Sequence, residues 1–427
     1  MTSNEFLNLL DDITERKQSL FITGPAGVGK THLLKAIYNS LKASGCGVAL
    51  TSTTGINALN LGGITVHKLM GLQTRTDMGY IGFMKSSFLF KGISQRMSKI
   101  DVIIIDEVSM LRADQLELIN AILQQTSRND KPFGGKTLIF TGDFYQIPPV
   151  VKSWEKKENQ WLFESPSWKA ANIRTIHLTD VYRQEDKNFV KFLNEIRTGQ
   201  WNPKTAAILE KCVHRDLPKN TTVFFSTNEE CDTHNQKCLK AIPGKEYTYV
   251  AEIKGKRNKK FKHDKVSITR DCIAKEILTL KVGTHVIAVN NDKKNRYMNG
   301  SKGEVISCCD EKGKQSVSVK FEGSDEVIKL RRHVWTKLNL QGKRVATFKQ
   351  IPLLPSYALT IHKSQGMTLD AAIIDCKNIF ACGQLYVALS RVRSLDNLKV
   401  INFNKKQIIV SPEVKKYYNS IASNNVY

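Results

Sequence analysis

The feature that most constrains this chain is a glycine-rich run between a short apolar segment and a helical pattern. The run consists of Gly24, Pro25, Ala26, Gly27, Val28, Gly29, Lys30 and Thr31. A strand, such a run and a helix in this order form a phosphate-binding loop, because the helix N-terminus directs its N–H groups at the phosphates. We expect Lys30 to contact the β- and γ-phosphates of a nucleoside triphosphate, and the Thr31 hydroxyl to bind Mg²⁺.

Two carboxylates end the apolar run 103–105. Asp106 closes the predicted strand and is expected to hold the Mg²⁺ shell. Glu107 follows it and is expected to orient or deprotonate the attacking water. A strand that ends in Asp-Glu is a weak signal alone, but it becomes a strong one after a phosphate loop with a strand and a helix between.

A further candidate, Gln146, lies just past the next apolar run, 138–141. We expect this strand to lie beside the one that ends in Asp106. A neutral amide at that place can sense the γ-phosphate without changing the charge around the metal. Taken alone, the segment is also compatible with an ordinary turn that ends at proline.

Length and charge restrict the number of domains and the partners. The chain has 427 residues, which predicts two or three domains rather than one core. It carries 64 Lys and Arg against 40 Asp and Glu, a net charge of +24. Such a charge favours a polyanionic partner, with a lysine-rich proteome as the alternative.

Cysteine content and hydropathy indicate the cellular compartment in which the protein is expected. The nine cysteines are odd in number and include no Cys-x-x-Cys pair. We therefore expect reduced thiols in an intracellular, reducing compartment, the bacterial or viral-host cytoplasm first, with nucleus and mitochondrion left open. The acidic N-terminus and the lack of an apolar run near about 18 residues argue against secretion and membrane insertion.

Short apolar strands alternate with helical segments in two parts of the chain. In the first part we predict strands at 20–23, 48–52, 102–105, 137–141 and 175–178, and helices at 31–44 and 113–125. In the second part we predict a helix at 189–197 and strands at 221–226, 371–375 and 398–403. This alternation is typical of an α/β fold with parallel sheets and helices on both faces.

A different pattern interrupts the second part. Segments 282–289, 303–307, 316–321 and 326–330 are short, alternate in polarity and are separated by turns that contain glycine. They predict a small all-β barrel or sandwich inserted in the second α/β domain. The resulting division is 1–180 for the first α/β domain, 181–278 with 346–427 for the second, and 279–345 for the insertion.

After the phosphate loop, further segments resemble, in order, the Pif family (petite-integration-frequency DNA helicases), a superfamily-one branch that includes RecD-like enzymes. They are 53–58, 63–67, 106–110, 142–150, 182–184, 360–366 and 386–393. The resemblance runs over almost the whole chain. It implies two tandem RecA-like domains, ATP and Mg²⁺ as cofactors, and a DNA helicase that moves 5′→3′.

The resemblance assigns Arg183 and Arg391 to the γ-phosphate side as arginine fingers in cis. A guanidinium from outside the first domain stabilises charge on the transferred phosphoryl group. Taken from its own triplet alone, each arginine is equally compatible with a surface ion pair.

The resemblance also implies a track for single-stranded DNA. Its residues are Thr53, Thr54, Gly55 and His67 in the first domain, and Thr360, His362, Lys363, Ser364 and Gln365 in the second. Hydroxyls and backbone amides bind phosphates without reading bases. His362 could instead be a buried histidine with satisfied hydrogen bonds. Gln365 and Gly366 are expected to connect the track with ATP, and Gly366 is counted among the ATP-binding residues.

Two further expectations concern the DNA and the base of the nucleotide. Residues 282–286 and 297–303 resemble the family's small β-barrel, which clamps DNA, and 72–97 would carry the wedge that separates strands. Family members often read adenine with a glutamine upstream of the phosphate loop. Gln18 lies too close to the first strand for that role, which leaves base selectivity open.

The expected partners are single-stranded and forked duplex DNA, with quadruplex DNA and RNA–DNA hybrids left open, no membrane, and a monomeric active form. The implied roles lie in DNA repair, recombination, replication and telomere maintenance. Two alternatives remain at this point. One is an RNA-directed translocase, and the other is a nucleotide-gated single-strand-binding module that does not unwind.

Overall fold

Two units, each with its own parallel sheet, make up the chain. The computed structural model describes residues 3–72, 88–149, 160–218, 221–255, 268–269, 272–292, 294, 296–311, 315–338 and 344–424. The first unit comprises Met1–Tyr182, Leu340–Gly342 and Val410–Tyr427. The second comprises Arg183–Asn339 and Lys343–Ile409.

The first unit is built on a parallel sheet. Its strands are β1 (Leu20–Thr23), β2 (Val48–Ser52), β3 (Ile64–Thr65), β4 (Val102–Asp106), β5 (Thr137–Gly142) and β6 (Arg174–His177). Its helices are α1 (Ser3–Thr14), α2 (Lys30–Ala43), α3 (Gly55–Leu61), α4 (Val66–Leu69), α5 (Phe88–Met97), α6 (Ala113–Ser127), α7 (Pro166–Ala170) and the C-terminal helix (Pro412–Asn424). Among the described residues the strand order is β3-β2-β4-β5-β1-β6.

Helices cover both faces of this sheet. Leu9 of α1 and Ile37 of α2 are buried in the core on one face. Ile119 of α6 and Val414 of the C-terminal helix are buried in the core on the other. Every residue of β4 is buried, as expected for a parallel strand with both faces covered. The predicted α/β architecture of this part is confirmed.

The second unit combines a parallel sheet with antiparallel sheets. Its helices are α8 (Lys187–Thr198), α9 (Pro203–Val213), α10 (Asn228–Ala241) and α11 (Gln384–Leu389). Its strands are β7 (Val223–Phe225), β8 (Tyr247–Val250), β9 (Glu252–Gly255), β10 (Ile277–Leu280), β11 (His285–Ala288), β12 (Lys302–Cys309), β13 (Ser316–Phe321), β14 (Val327–Arg331), β15 (His333–Leu338), β16 (Arg344–Gln350), β17 (Leu353–Pro355), β18 (Ala358–Thr360), β19 (Ala372–Asp375) and β20 (Leu398–Ile401). The parallel sheet has the order β18-β7-β19-β20.

The antiparallel strands enclose a core of their own, which confirms a small all-β domain within the second α/β region. Tyr249 of β8, Val286 of β11 and Val319 of β13 are buried together there. The predicted limits of 279 and 345 are too narrow, because β8 pairs with β10, β9 with β16, and β17 with β11. These partners are far apart in sequence, so no hairpin turn marks them.

The C-terminal helix corrects the predicted domain division. The sequence pattern predicts that residues 346–427 lie entirely in the second α/β domain, but Val410–Tyr427 belongs to the first unit. Its apolar side packs there through Val414, Tyr417 and Tyr418. The amphipathic pattern predicts a buried face but does not say which core receives it.

Of the predicted wedge at 72–97, residues 73–87 lie outside the described residues. The remainder includes α5, whose Arg96 donates a 2.7 Å hydrogen bond from Nη1 to the Leu69 carbonyl. No described helix is both long enough and apolar enough to cross a membrane.

Candidate nucleotide and nucleic-acid site

The glycine-rich loop joins the end of β1 to the first turn of α2, as predicted. Gly24, Gly27 and Gly29 have φ values of 148°, 87° and 81°, which a residue with a side chain rarely adopts. A Cβ atom on Gly24 would lie 2.2 Å from the Leu178 carbonyl oxygen. Glycine therefore allows the loop to turn toward the N-terminus of α2, where N–H groups favour phosphate.

Lys30 and Thr31 begin α2. The Lys30 ammonium donates to the carbonyl oxygens of Gly24 and Pro25, at 2.7 and 2.9 Å. These bonds hold the positive charge over the loop. Thr31 is exposed on the first turn, so its hydroxyl is accessible to an ion.

Asp106 ends β4 and is 6% exposed. Its Oδ1 accepts hydrogen bonds from the Thr141 hydroxyl and from the Glu107 N–H, the latter at 2.9 Å. Burial raises the pKa of Asp106, and these hydrogen bonds together with the charge of Lys30 act against that rise. Because both bonds go to Oδ1, Oδ2 is the oxygen suited to face a cation.

The predicted metal ligands fit Mg²⁺ in their chemistry. Asp106 offers a carboxylate oxygen and Thr31 a hydroxyl, and Mg²⁺ prefers such hard oxygen ligands together with water and substrate phosphates. A nearby cation also favours the charged form of the buried carboxylate.

Glu107 follows β4 in a left-handed backbone conformation, with φ 55° and ψ 48°. For a residue with a side chain this conformation costs about 1–2 kcal/mol. The Thr53 hydroxyl donates to the Glu107 carbonyl at 2.8 Å, and the Glu107 N–H is bonded to Asp106. Contacts on both peptide groups thus hold the strained conformation, and such strain is concentrated at functional sites.

Gln146 lies in the loop after β5. This strand pairs in parallel with β4, as predicted, and with β1 on its other side. The Gln146 N–H donates to the Asp143 carbonyl at 2.9 Å and closes a tight turn. The loop therefore starts between the strand that ends in Asp106 and the strand that leads into the phosphate loop.

Arg183 and Arg391 both belong to the second unit and meet at one turn. Arg183 donates from Nη1 to the Ser390 carbonyl at 3.1 Å, and Gln184 donates to the same oxygen at 3.2 Å. Arg391 is 2% exposed and donates to the Val387 carbonyl at 2.8 Å and to the Ser390 hydroxyl at 2.7 Å. This burial excludes the surface ion pair as an explanation for Arg391.

Thr53 is oriented toward the acidic end of β4. Its N–H donates to the Asp106 carbonyl at 3.2 Å and its hydroxyl to the Glu107 carbonyl at 2.8 Å. Both of its donors are thereby used within the first unit. This geometry favours a positioning role for Thr53, in contrast to the direct phosphate contact that the sequence predicts.

Thr54 and Gly55 lie at the start of α3. The Thr54 hydroxyl accepts a hydrogen bond of 3.3 Å from the Asn57 N–H. Its own hydrogen can then be directed to a phosphate oxygen. The predicted strand contact at Thr54 is compatible with this geometry.

His67 lies in α4 and is held by an ordered set of hydrogen bonds. The Gln115 amide oxygen accepts from the Arg112 N–H at 3.1 Å, which turns the amide nitrogen to His67 Nε2 at 3.0 Å. A nitrogen that accepts at Nε2 belongs to a neutral imidazole with its hydrogen on Nδ1. Burial lowers the pKa of His67, which also favours the neutral ring.

The predicted residues of the second unit lie at the end of β18 and in the turn that follows it. They are Thr360, His362, Lys363, Ser364, Gln365 and Gly366. Ser364 is fully buried and donates its hydroxyl to the Ile361 carbonyl at 2.8 Å. It therefore shapes the turn, and the predicted direct contact of its side chain with DNA does not fit this geometry.

The other members of this turn keep groups that can meet a phosphate. The Thr360 hydroxyl accepts from the Lys363 N–H at 3.3 Å and can still donate. His362 is only partly buried, which disfavours the alternative of a fully buried histidine. Burial lowers the pKa of its imidazole, so that the neutral form is favoured. Gly366 is exposed and has a φ of 78°.

A pocket of about 460 Å³ lies beside the phosphate loop in the first unit. Its wall combines residues of α1, Val28 of the loop, and the segment from β6 to Tyr182. The Tyr182 N–H donates to the Gly27 carbonyl at 2.9 Å. Gln18 donates to the Asn172 carbonyl at 2.7 Å and is not among the residues that line this pocket.

The sequence does not predict a role for two residues that lie near these groups. Gln115, which orients His67, looks like an ordinary residue of an amphipathic helix. Tyr418 of the C-terminal helix contacts Thr23, 395 positions away. The local signal is the adjacent Tyr417 and Tyr418 on the apolar side of an amphipathic helix.

Comparisons with known proteins find similarity to DNA helicases over most of the chain. The family model described as PIF1-like helicase matches residues 4–207. Human ATP-dependent DNA helicase PIF1 is 33% identical over 410 residues, which cover 94% of this chain and 61% of the human protein. The ATP-dependent DNA helicase Pif1 of Psychrobacter sp. (strain PRwf-1) is 33% identical over 456 residues, covering 94% of this chain and 68% of that protein. The chain thus spans less than two thirds of the human relative.

A solved structure extends the likeness to the whole fold. The Pif1 helicase from Bacteroides in complex with ADP-AlF3 and single-stranded DNA matches with a TM-score of 0.67 and 28% identity. The match covers 100% of this chain and 98% of that one. Both units take part in it.

Proposed function

Because the chain belongs to the PIF1-like helicase family, we propose that it is an ATP-driven DNA helicase that moves 5′→3′ along single-stranded DNA and unwinds duplex. The observation that carries the proposal is the 2.8 Å hydrogen bond from the Thr53 hydroxyl to the Glu107 carbonyl. It joins the segment expected to meet the strand to the residue expected to activate water. The direction of movement rests on the family resemblance.

In the proposed hydrolysis, ATP lies with its phosphates in the glycine-rich loop, and Lys30 neutralises charge on the β- and γ-phosphates. Thr31 and Asp106 would hold Mg²⁺, which would supply further positive charge at the phosphate oxygens. Glu107 takes a proton from water while the water oxygen bonds to the γ-phosphorus and the bond to the β–γ bridging oxygen breaks. Gln146 hydrogen-bonds the γ-phosphate, and ADP and phosphate leave.

Arg183 and Arg391 act as arginine fingers in this proposal, an assignment that rests on the family resemblance. Their common anchor at Ser390 supports a joint role, because a displacement of that turn moves both. Arg391 also donates from Nη1 to the Ser364 carbonyl, at 3.5 Å. The γ-phosphate contact and the turn after β18 are thereby linked within the second unit.

The DNA strand is bound by groups that do not read sequence. Thr54, Gly55 and His67 contact it from the first unit. Thr360, His362, Lys363 and Gln365 contact it from the second, while Thr53 and Ser364 position their neighbours. Both histidines act as neutral hydrogen-bonding groups, since burial lowers their pKa values. The net charge of +24 supports a polyanionic partner.

The ATP base is expected to enter the pocket beside Val28, because that pocket adjoins the phosphate loop. The substrates are single-stranded and forked duplex DNA, and the active form is a monomer. Quadruplex DNA and RNA–DNA hybrids are further substrates to be compared.

ATPase and unwinding assays on one set of substrates test the proposal. ATP turnover is expected to rise strongly with single-stranded DNA, and duplexes with a 5′ tail should be unwound in preference to those with a 3′ tail. Lys30→Ala is the control and should lose both activities. Equal turnover with and without DNA would contradict the coupling.

The same substrates separate the alternatives. Stimulation by RNA strands but not by DNA would indicate an RNA-directed translocase. ATP-dependent binding without strand release would indicate a binding module. Unwinding from a 3′ tail alone would show the direction opposite to the one proposed. Sedimentation during turnover measures whether the active form is a monomer.

A further inference from the structure

The C-terminal helix places a phenol between two loops of the nucleotide site in the first unit. The Tyr418 hydroxyl oxygen lies 2.7 Å from the Thr23 hydroxyl oxygen, and Thr23 is the last residue before the phosphate loop. It also lies 3.2 Å from the Phe144 nitrogen and 3.4 Å from Asp143 Oδ1. Asp143 and Phe144 begin the segment that carries Gln146.

The donor and acceptor of each contact follow from the chemistry of the groups. A phenol has one hydrogen to donate and lone pairs to accept with. A main-chain N–H only donates, so Tyr418 accepts from Phe144 and directs its own hydrogen to Asp143. Thr23 can then donate to the remaining lone pair. The hydroxyl is held from several directions at once, which restricts the position of each group around it.

Aromatic packing docks the helix independently of this hydroxyl. The Tyr418 ring stacks on Tyr145 with centroids 4.8 Å apart and an angle of 12°. The neighbouring Tyr417 stacks on Phe163 with centroids 4.2 Å apart and an angle of 8°. A change from tyrosine to phenylalanine keeps these stacked rings, so it removes the hydrogen bonds and leaves the helix in place.

We propose that Tyr418 is a positioning residue for ATP hydrolysis, whose hydroxyl fixes the Gln146 segment relative to the phosphate loop. The Gln146 N–H is bonded to the Asp143 carbonyl at 2.9 Å, so a shift of Asp143 is passed directly to Gln146. On the other side, Thr23 is joined covalently to Gly24. The proposal rests on the proposed function, because it assigns Gln146 to the γ-phosphate.

Steady-state ATPase kinetics of Tyr418→Phe in the full chain, with saturating single-stranded DNA, test the proposal. We expect kcat to fall about tenfold, which corresponds to about 1.4 kcal/mol in the barrier. The affinity for a non-hydrolysable ATP analogue should stay within about twofold, since Lys30 and the loop are unchanged. Tyr417→Phe is the matched control, because it also replaces a stacked tyrosine on the same helix, and it should keep the wild-type kcat.

Amide hydrogen exchange with the analogue bound gives a second readout that does not depend on turnover. Tyr418→Phe should speed exchange in residues 142–149 and leave exchange in α2 unchanged. A wild-type kcat, or unchanged exchange in 142–149, would overturn the proposal. Parallel losses of kcat, analogue affinity and unfolding midpoint would also overturn it, since they would indicate a role in stability alone. If the wild-type chain hydrolyses no ATP, the proposed function fails, while the exchange experiment still shows whether Tyr418 holds this segment.

Discussion

The hydroxyl of Thr53 donates a 2.8 Å hydrogen bond to the main-chain carbonyl of Glu107. The N–H of Thr53 donates to the carbonyl of Asp106 at 3.2 Å. Thr53, the residue after β2, thus holds the peptide groups on both sides of Glu107. Glu107 has a left-handed φ of 55°, so this contact stabilises a conformation that is otherwise unfavourable.

Thr53→Val should lower the kcat for ATP hydrolysis about tenfold and weaken the stimulation by single-stranded DNA. The methyl group replaces the hydroxyl in size, but the Glu107 carbonyl loses a donor, at a cost of about 1–3 kcal/mol. Nucleotide affinity should not change. Thr53→Ser retains the hydroxyl and should restore kcat in the same assay. Wild-type kcat in Thr53→Val together with a slow Thr53→Ser would indicate that the methyl packing matters instead.

Glu107→Gln should bind nucleotide normally and lose turnover. Removing a general base lowers the rate by about 10²–10⁴-fold. Binding of a fluorescent ATP analogue and phosphate release measure the two properties separately. Glu185→Gln, at an exposed glutamate, is the control. Normal hydrolysis by Glu107→Gln would assign water activation to another residue.

Arg183→Ala should lower hydrolysis by about 10³-fold with little change in nucleotide affinity, as loss of an arginine finger does. Arg391→Ala should lose hydrolysis and also unfold at a lower temperature, because Arg391 is 2% exposed and its removal deletes its buried hydrogen bonds to the Val387 carbonyl and the Ser390 hydroxyl. ATPase assays and thermal unfolding distinguish the two variants. If Arg183→Ala hydrolyses ATP at the wild-type rate, Arg183 does not contact the γ-phosphate.

The first unit should become less stable in acid through His67. Burial lowers its pKa below the value of about 6.5 for a solvated imidazole. Below that pH the unfolded chain binds the proton more readily than the folded chain, so the free energy of unfolding falls as the pH falls. The urea midpoint should drop between pH 7.5 and 5.5.

Two variants isolate the contribution of this ring. His67→Gln should show a smaller drop of the urea midpoint, because it has no proton to take up. His32→Gln, at an exposed histidine of α2, should keep the full drop. The same drop in all three proteins would show that other groups cause the acid sensitivity.

Salt titration of single-strand binding should separate Lys363 from His362. Each phosphate neutralised on a single strand contributes about −0.7 to the slope of log affinity against log salt concentration. Lys363→Gln should reduce the magnitude of the slope by about that amount. His362→Gln should weaken binding at pH 7.5 without changing the slope, because burial favours its neutral form. A change of slope in His362→Gln would show a charged imidazole at the strand.

Patterns local in sequence predicted four strands of the first unit's parallel sheet to within one residue, whereas β3 and β18 were not predicted. β1 and β2 have the predicted bounds, and β4 and β5 differ by one residue at one end. A strand with both faces buried must be apolar throughout, and its neighbours are set by the βαβ connection. The phosphate loop is equally visible, because its backbone needs glycine at particular positions.

Pairings between strands that are far apart in sequence could not be predicted from local patterns. The pairings of β8 with β10, β9 with β16 and β11 with β17 join strands that are far apart in sequence, so the sequence predicts limits for the all-β domain that are too narrow. For the C-terminal helix the amphipathic pattern indicated a buried face but not the core that receives it.

Residue types in order along the chain therefore predict the chemistry: an ammonium, two carboxylates, an amide and hydroxyls near phosphate. The hydrogen-bond partners of these groups depend on the fold. A hydroxyl forms a hydrogen bond with a donor or acceptor that lies about 3 Å away, and that group can be distant in sequence. Thr53 thus holds Glu107, Ser364 turns inward to Ile361, and Tyr418 reaches Thr23 from the other end of the chain.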